Sequence, residues 1–315
     1  MSGGEPGLRP GPDGRHRPLA LVAWLRHPWV RHLRLPFNLL LSPIFLWGAY
    51  LAPHPAEPWR LLLGWLVLHV FLYGGTTALN SYYDRDEGPI GGMRYPEPLA
   101  PGLLPWSIGV QLAGLPLALL VGPAFALTYL LLGLLAAAYS HPATRWKADP
   151  VASLAVVALG QGGVGSLAGW WAAAGPSVAP LEALASPGPW WAALVAGTVL
   201  LGQYVASQAY QVEEDRRRGD RTLPVLLGPA RALRWALVPA AVGALAMLVT
   251  VALRTHWAWS LPGALLGLLL AARQLRWSGW VGGHGVDADY REAMAITRLG
   301  GIGLSAYLLA LLLVH

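Results

Sequence analysis

Residues 61–79 read Leu61-Leu-Leu-Gly-Trp-Leu-Val-Leu-His69-Val-Phe-Leu-Tyr73-Gly-Gly-Thr-Thr-Ala-Leu79 and run directly into Asn80-Ser-Tyr-Tyr-Asp84-Arg-Asp86-Glu87. Nineteen residues without a Lys, Arg, Asp or Glu are close to the ~20 that a helix needs to cross a bilayer. The polar cluster that follows marks where the chain leaves the hydrocarbon.

Apolar runs of this kind recur at 35–51, 61–79, 103–121, 123–138, 151–174, 190–210, 232–253, 257–275 and 296–314. The pattern predicts an all-α polytopic membrane protein, with nine transmembrane helices bundled around a central cavity. Pro36, Pro43, Pro105 and Pro116 are expected to kink or start helices, because neighbouring helices satisfy the carbonyls that proline frees. The glycines between Gly160 and Gly169 suit close helix packing. Composition agrees: the 315 residues are 55% hydrophobic and 12% charged, with a mean hydropathy of +0.46, which excludes a disordered chain and an ordinary water-soluble domain. The absence of cysteine excludes disulfides, thiolate metal sites and a cysteine nucleophile. Neither a dinucleotide fold nor a nucleic-acid module is recognisable, so no nucleic-acid partner is expected.

Residues 1–34 form a basic, Pro/Gly-rich arm, and 35–315 a single transmembrane domain. With the N-terminus inside, 20 of the 22 Lys and Arg residues fall in the arm, in the loops after spans two, four, six and eight, or in the span ends that adjoin those loops, leaving Arg60 and Arg254 outside. Basic residues beside spans are retained on the cytoplasmic side, so a cell-membrane protein with a cytoplasmic N-terminus is expected. Trp59, Trp190, Trp191, Trp257 and Trp259 near span ends fit an interfacial aromatic belt.

Seven of the 16 acids lie in two short segments on that same side, Asn80 to Glu87 and Gln208-Ala-Tyr210-Gln211-Val-Glu213-Glu214-Asp215-Arg-Arg-Arg-Gly-Asp220. Asn80, Asp84 and Glu87 stand at i, i+4 and i+7, and Gln208, Gln211 and Asp215 at i, i+3 and i+7, so each set is expected on one helix face. Two such faces, opposed at a water-accessible mouth, offer the oxygens that Mg2+ prefers, with phosphate oxygens completing its shell. The residues alone equally suit charges at helix ends that neutralise the neighbouring arginines.

These segments resemble the motifs of the UbiA superfamily of intramembrane prenyltransferases. Asn80-Ser-Tyr-Tyr-Asp84 is similar to the first motif of its dihydroxynaphthoate (menaquinone) branch. The run from Gln211 to Thr222-Leu-Pro-Val-Leu-Leu-Gly228 is similar to the second, and Tyr139-Ser140-His-Pro-Ala-Thr-Arg145-Trp-Lys147 to the loop after the fourth helix. Ser81, Gly88, Gln211 and Glu97 depart from residues common in the family. The resemblance implies Mg2+-dependent transfer of a polyprenyl group from an isoprenyl diphosphate to a small, aromatic quinone-precursor acceptor such as dihydroxynaphthoate. Another acceptor, a membrane carrier and a catalytically impaired relative are the alternatives.

For that chemistry, Asn80, Asp84, Glu87, Glu213 and Asp215 are the metal-shell candidates, with Gln211 able to add a neutral oxygen. By resemblance Arg94, Arg145 and Lys147 clamp the diphosphate. Tyr83, Tyr139 and Tyr210 are placed to line the pocket for an allylic cation, although each also suits an interfacial anchor. Asp215 or Glu214 is expected to take the acceptor's proton.

Overall fold

The computed structural model describes residues 8–10, 16–18, 27–53, 57–176 and 178–314. Most of the expected arm therefore lies outside the described residues. Within it, Leu8–Pro10 pairs antiparallel with His16–Pro18, and from Pro28 onward every regular element is helical.

Among the described residues eight helices are long and apolar enough to cross a membrane. We label the helices in chain order, beginning with the inner helix α1 (Ser42–Leu51). The eight long helices are α2 (Pro58–Asp84), α3 (Leu103–Val121), α4 (Pro123–Ser140), α5 (Pro150–Ala174), α6 (Pro187–Gln208), α7 (Pro229–Arg254), α8 (Trp257–Ser278) and α9 (Val286–Val314). The first of the nine expected spans is thus not among them. It comprises Leu35–Asn38, a 3-10 turn Leu39–Leu41 and α1. Pro36 and Pro43 sit at the starts of the two α-helical pieces, where a missing N–H costs nothing.

α1 is the inner post of the bundle. All its residues except Pro43 are buried, and it packs against α5, α9 and α6. Such closeness needs small residues, as expected for helices in lipid. A Cβ on Gly48 would sit 1.7 Å from the Ser166 carbonyl oxygen, and one on Gly169 1.8 Å from that of Phe45. Phe45, Trp47, Tyr50 and Leu68 fill the core around this contact. The outer faces carry exposed Leu112, Leu134, Leu245 and Leu268, the pattern of helices solvated by acyl chains rather than water.

Candidate active site

The first acidic segment is the last turn of α2, so Asn80 and Asp84 share a face as their spacing predicts, and Asn80 Nδ2 donates to Asp84 Oδ2 at 2.6 Å. Glu87 does not join them. The helix stops at Asp84, and Arg85 turns left-handed at φ 51°, which swings Glu87 out to solvent. The second segment also departs from a continuous helix. α6 ends at Gln208, and a new helix, Val212–Arg218, starts after the turn at Ala209 and Tyr210. Its sequence explains it: Glu213, Glu214 and Asp215 in the first turn and Arg216, Arg217 and Arg218 in the last complement the helix dipole, and Gly219 at φ 78° closes it.

The two segments meet. Glu214 accepts the backbone N–H groups of Glu87 (3.0 Å) and Gly88 (3.3 Å). Arg218 bridges Asp86 (2.7 Å) and Glu214 (2.5 Å), and Gln211 Nε2 donates to the Pro89 carbonyl at 3.3 Å. The loop after α4 locks in beside them. There Arg145 forks onto both oxygens of Asp220 at 2.9 Å, Lys147 pairs with Asp84, and Arg221 N–H donates to Ala148 O at 2.9 Å.

Beneath this mouth lies a cavity of about 290 Å3 whose charged lining residues include Asp84, Asp86, Lys147, Asp215 and Asp220. Of the sequence-derived candidates, Asn80, Asp84, Asp215, Gln211, Lys147, Tyr139 and Tyr210 line it. The others sit elsewhere. Glu213 is exposed and pairs with Arg216; Glu214 is spent on the tether to Glu87 and Gly88. Arg94 holds Asp287 at 2.5 Å, tying the loop after α2 to the start of α9, and Arg145 holds Asp220 just outside the lining. Tyr83 packs on the exposed His141 ring, 5.2 Å between centroids.

Several lining residues had no sequence assignment. Arg34, expected in the basic arm, is 8% exposed and donates to Thr77 O (2.9 Å) and Asn80 Oδ1 (3.2 Å). Its position before the first apolar run gave no sign of this, since topology-setting arginines occupy the same place. Tyr204 hydrogen-bonds Tyr139 and Gln208, each at 2.8 Å. It stands four residues before Gln208, a signal that helical spacing does carry.

The mouth is strained and electrostatically loaded. Among the described residues the only non-glycine positions with left-handed backbone are Arg34, Arg85 and Arg145, a conformation that costs about 1–2 kcal/mol per residue and gathers at functional sites. Burial pushes the Asp215 carboxyl up to about 6, against the opposing pull of its hydrogen bond from Thr222. Burial likewise presses the Arg34 guanidinium down, while Asp86, Tyr210 and Asp84 pull it back.

Among the described residues no three His, Asp or Glu side chains converge to hold a metal by themselves. That suits Mg2+, which is bound by one or two carboxylates plus substrate phosphates rather than by an all-protein cage. Asp84, Asp215, Asn80 and Gln211 line the one cavity and are the residues that could offer oxygens to such an ion.

Comparison with known proteins bears on the same residues. A sequence model described as the UbiA prenyltransferase family matches residues 41–281. No curated protein matches the chain in sequence. Among solved structures, the fold is similar to a UbiA homolog from Archaeoglobus fulgidus bound to DMAPP and Mg2+, with a TM-score of 0.61 at 19% identity over 92% of this chain and all of that one. A UbiA homolog from Aeropyrum pernix K1 gives 0.62 at 20% identity, over 85% of this chain and 97% of that one. A digeranylgeranylglyceryl phosphate synthase structure gives 0.57 at 14%, over 90% and 98%.

Proposed function

Given that the chain belongs to the UbiA prenyltransferase family, we propose that it moves a polyprenyl group from an isoprenyl diphosphate to a small aromatic quinone precursor such as dihydroxynaphthoate, using Mg2+ at a mouth facing the cytoplasm. The observation that carries this reading is the meeting of two acid-bearing segments over one cavity that is charged at its mouth and apolar within. Two structures of similar fold, described as a UbiA homolog from A. fulgidus, hold DMAPP and GPP, each together with Mg2+.

The residues divide the work by position. Asn80, Asp84, Gln211 and Asp215 would hold the metal, which neutralises charge growing on the departing diphosphate. Lys147 and Arg34, both nearly buried, offer fixed donors to the same oxygens, worth more here than in water. Leu72, Leu132, Leu135 and Val157 wall the cavity below and keep water from the allylic cation once its carbon–oxygen bond breaks. The rings of Tyr139, Tyr204 and Tyr210 give that cation π faces. When the acceptor carbon bonds to it, the ring proton needs a base. Asp215, a carboxylate on the cavity lining, would accept it.

The test is purified protein with Mg2+, geranyl diphosphate and a panel including dihydroxynaphthoate and other phenols, read by product mass and diphosphate release. Product is expected, and Asp84→Ala and Asp215→Ala should each abolish it while the protein stays folded. Turnover retained in either variant discredits the metal assignment.

A further inference from the structure

The inner end of the cavity, away from the charged mouth, is where two helices leave the regular α path. Val67–Leu72 of α2 and Val156–Val164 of α5 are both wound as π-helix, a form often found at functional sites. Tyr73 directly follows the first stretch and Gln161 lies within the second. Both line the cavity.

Neither polar group is satisfied by the protein. Tyr73 is 6% exposed and its hydroxyl has no hydrogen-bond partner. The Gln161 amide has none among the described residues. The Tyr73 hydroxyl reaches across to α5, because a Cβ on Gly165 would sit 3.0 Å from it, and Gly165 is about one turn beyond Gln161. Two unpaired polar groups, one from α2 and one from α5, thus line the same cavity, whose charged lining residues belong to the mouth.

A buried hydroxyl left unpaired is costly, so a ligand that pairs with it gains. An isoprenoid tail has nothing to offer it. A carboxylate or phosphate would be buried there without a counter-charge. An uncharged hydroxyl can both donate to and accept from this pair, and a carbonyl oxygen can accept from it. Reach agrees: Tyr73 precedes Asn80 by seven residues on the same helix, about 10 Å at the α-helical rise, room for one aromatic ring and the allylic carbon between anchor and diphosphate.

We propose that Tyr73 and Gln161 form the acceptor's anchoring subsite, holding an uncharged oxygen so that the ring enters oxygen-first and turns its reacting carbon toward the mouth. An anionic substituent then stays near Arg34 and Lys147. This assignment rests on the prenyl-transfer reading above.

The experiment titrates the full chain, in detergent and loaded with Mg2+ and geranyl S-thiolodiphosphate, with 1-naphthol and with naphthalene. Tyr73→Phe and Gln161→Leu should each weaken 1-naphthol by about tenfold, leaving naphthalene and the thiolodiphosphate unchanged. Tyr73→Phe removes an oxygen that has no partner, so its melting temperature should not fall. Equal 1-naphthol affinity in wild type and both variants, no 1-naphthol binding to wild type, or a parallel loss of thiolodiphosphate affinity overturns the assignment. Failure to form product from geranyl diphosphate overturns prenyl transfer instead, and the binding readout keeps the two apart.

Discussion

Replacing Glu214 by Gln separates a tether from a base. The carboxylate accepts two backbone N–H groups from the opposite segment and the guanidinium of Arg218. Hydrogen bonds to a charged group contribute about 1.5–3 kcal/mol and neutral ones about 0.5–1.5, so neutralising this acceptor weakens each amide bond by roughly 1 kcal/mol. Local opening of the loop after α2 then becomes about 2 kcal/mol easier, or roughly 30-fold in its opening constant. Hydrogen exchange of the peptide spanning Glu87 and Gly88, read by mass spectrometry in detergent, should accelerate by about that factor. Prenyl diphosphate should bind more weakly, while turnover at saturation stays within a few-fold. If exchange is unchanged and kcat drops by about 10²–10⁴, the range expected for a lost general base, the tether is refuted.

Asp215 makes stability pH-dependent. Its folded value of about 6 lies above the ordinary 3.8, so its contribution is complete below about pH 4 and is lost as pH rises through 6, about 3 kcal/mol in all. Without ligand, Asp215→Asn should flatten that decline in melting temperature; an unaltered slope contradicts the burial argument. Lys147→Met leaves Asp84 without its cationic partner, a loss on the order of 3–5 kcal/mol for a buried pair. Added Mg2+ should raise the melting temperature more in this variant than in wild type, and an equal rise would count against metal at Asp84. Gly169→Ala puts a methyl group onto the Phe45 carbonyl, and thermal unfolding should report a destabilisation of about 1–3 kcal/mol.

Much of the fold was legible because lipid-facing helices need long uncharged runs, and eight of the nine expected runs are helices of membrane length. The Asn80–Asp84 face was legible for a similar reason, since an i, i+4 spacing survives as long as the helix does. Glu87 was misread where the helix ends, and Pro89 shortly beyond was the available signal. The break after Gln208 has no local Gly or Pro. Its turn seats the buried Tyr210 against Tyr290 of α9, 5.4 Å between ring centroids, a contact no local window contains. Charge partners were hidden in the same way. Arg94 resembled a diphosphate clamp, yet its carboxylate partner Asp287 is 193 residues away. Arg34 was indistinguishable from the topology-setting arginines before it.

The central claim is that the two segments grip one metal diphosphate jointly. It is tested most directly by calorimetric titration of geranyl diphosphate into wild type, Asp84→Ala and Asp215→Ala, each with and without Mg2+. The account predicts Mg2+-dependent binding in wild type that either substitution removes. Equal binding without Mg2+, or full Mg2+-dependent affinity surviving in one variant, would contradict it.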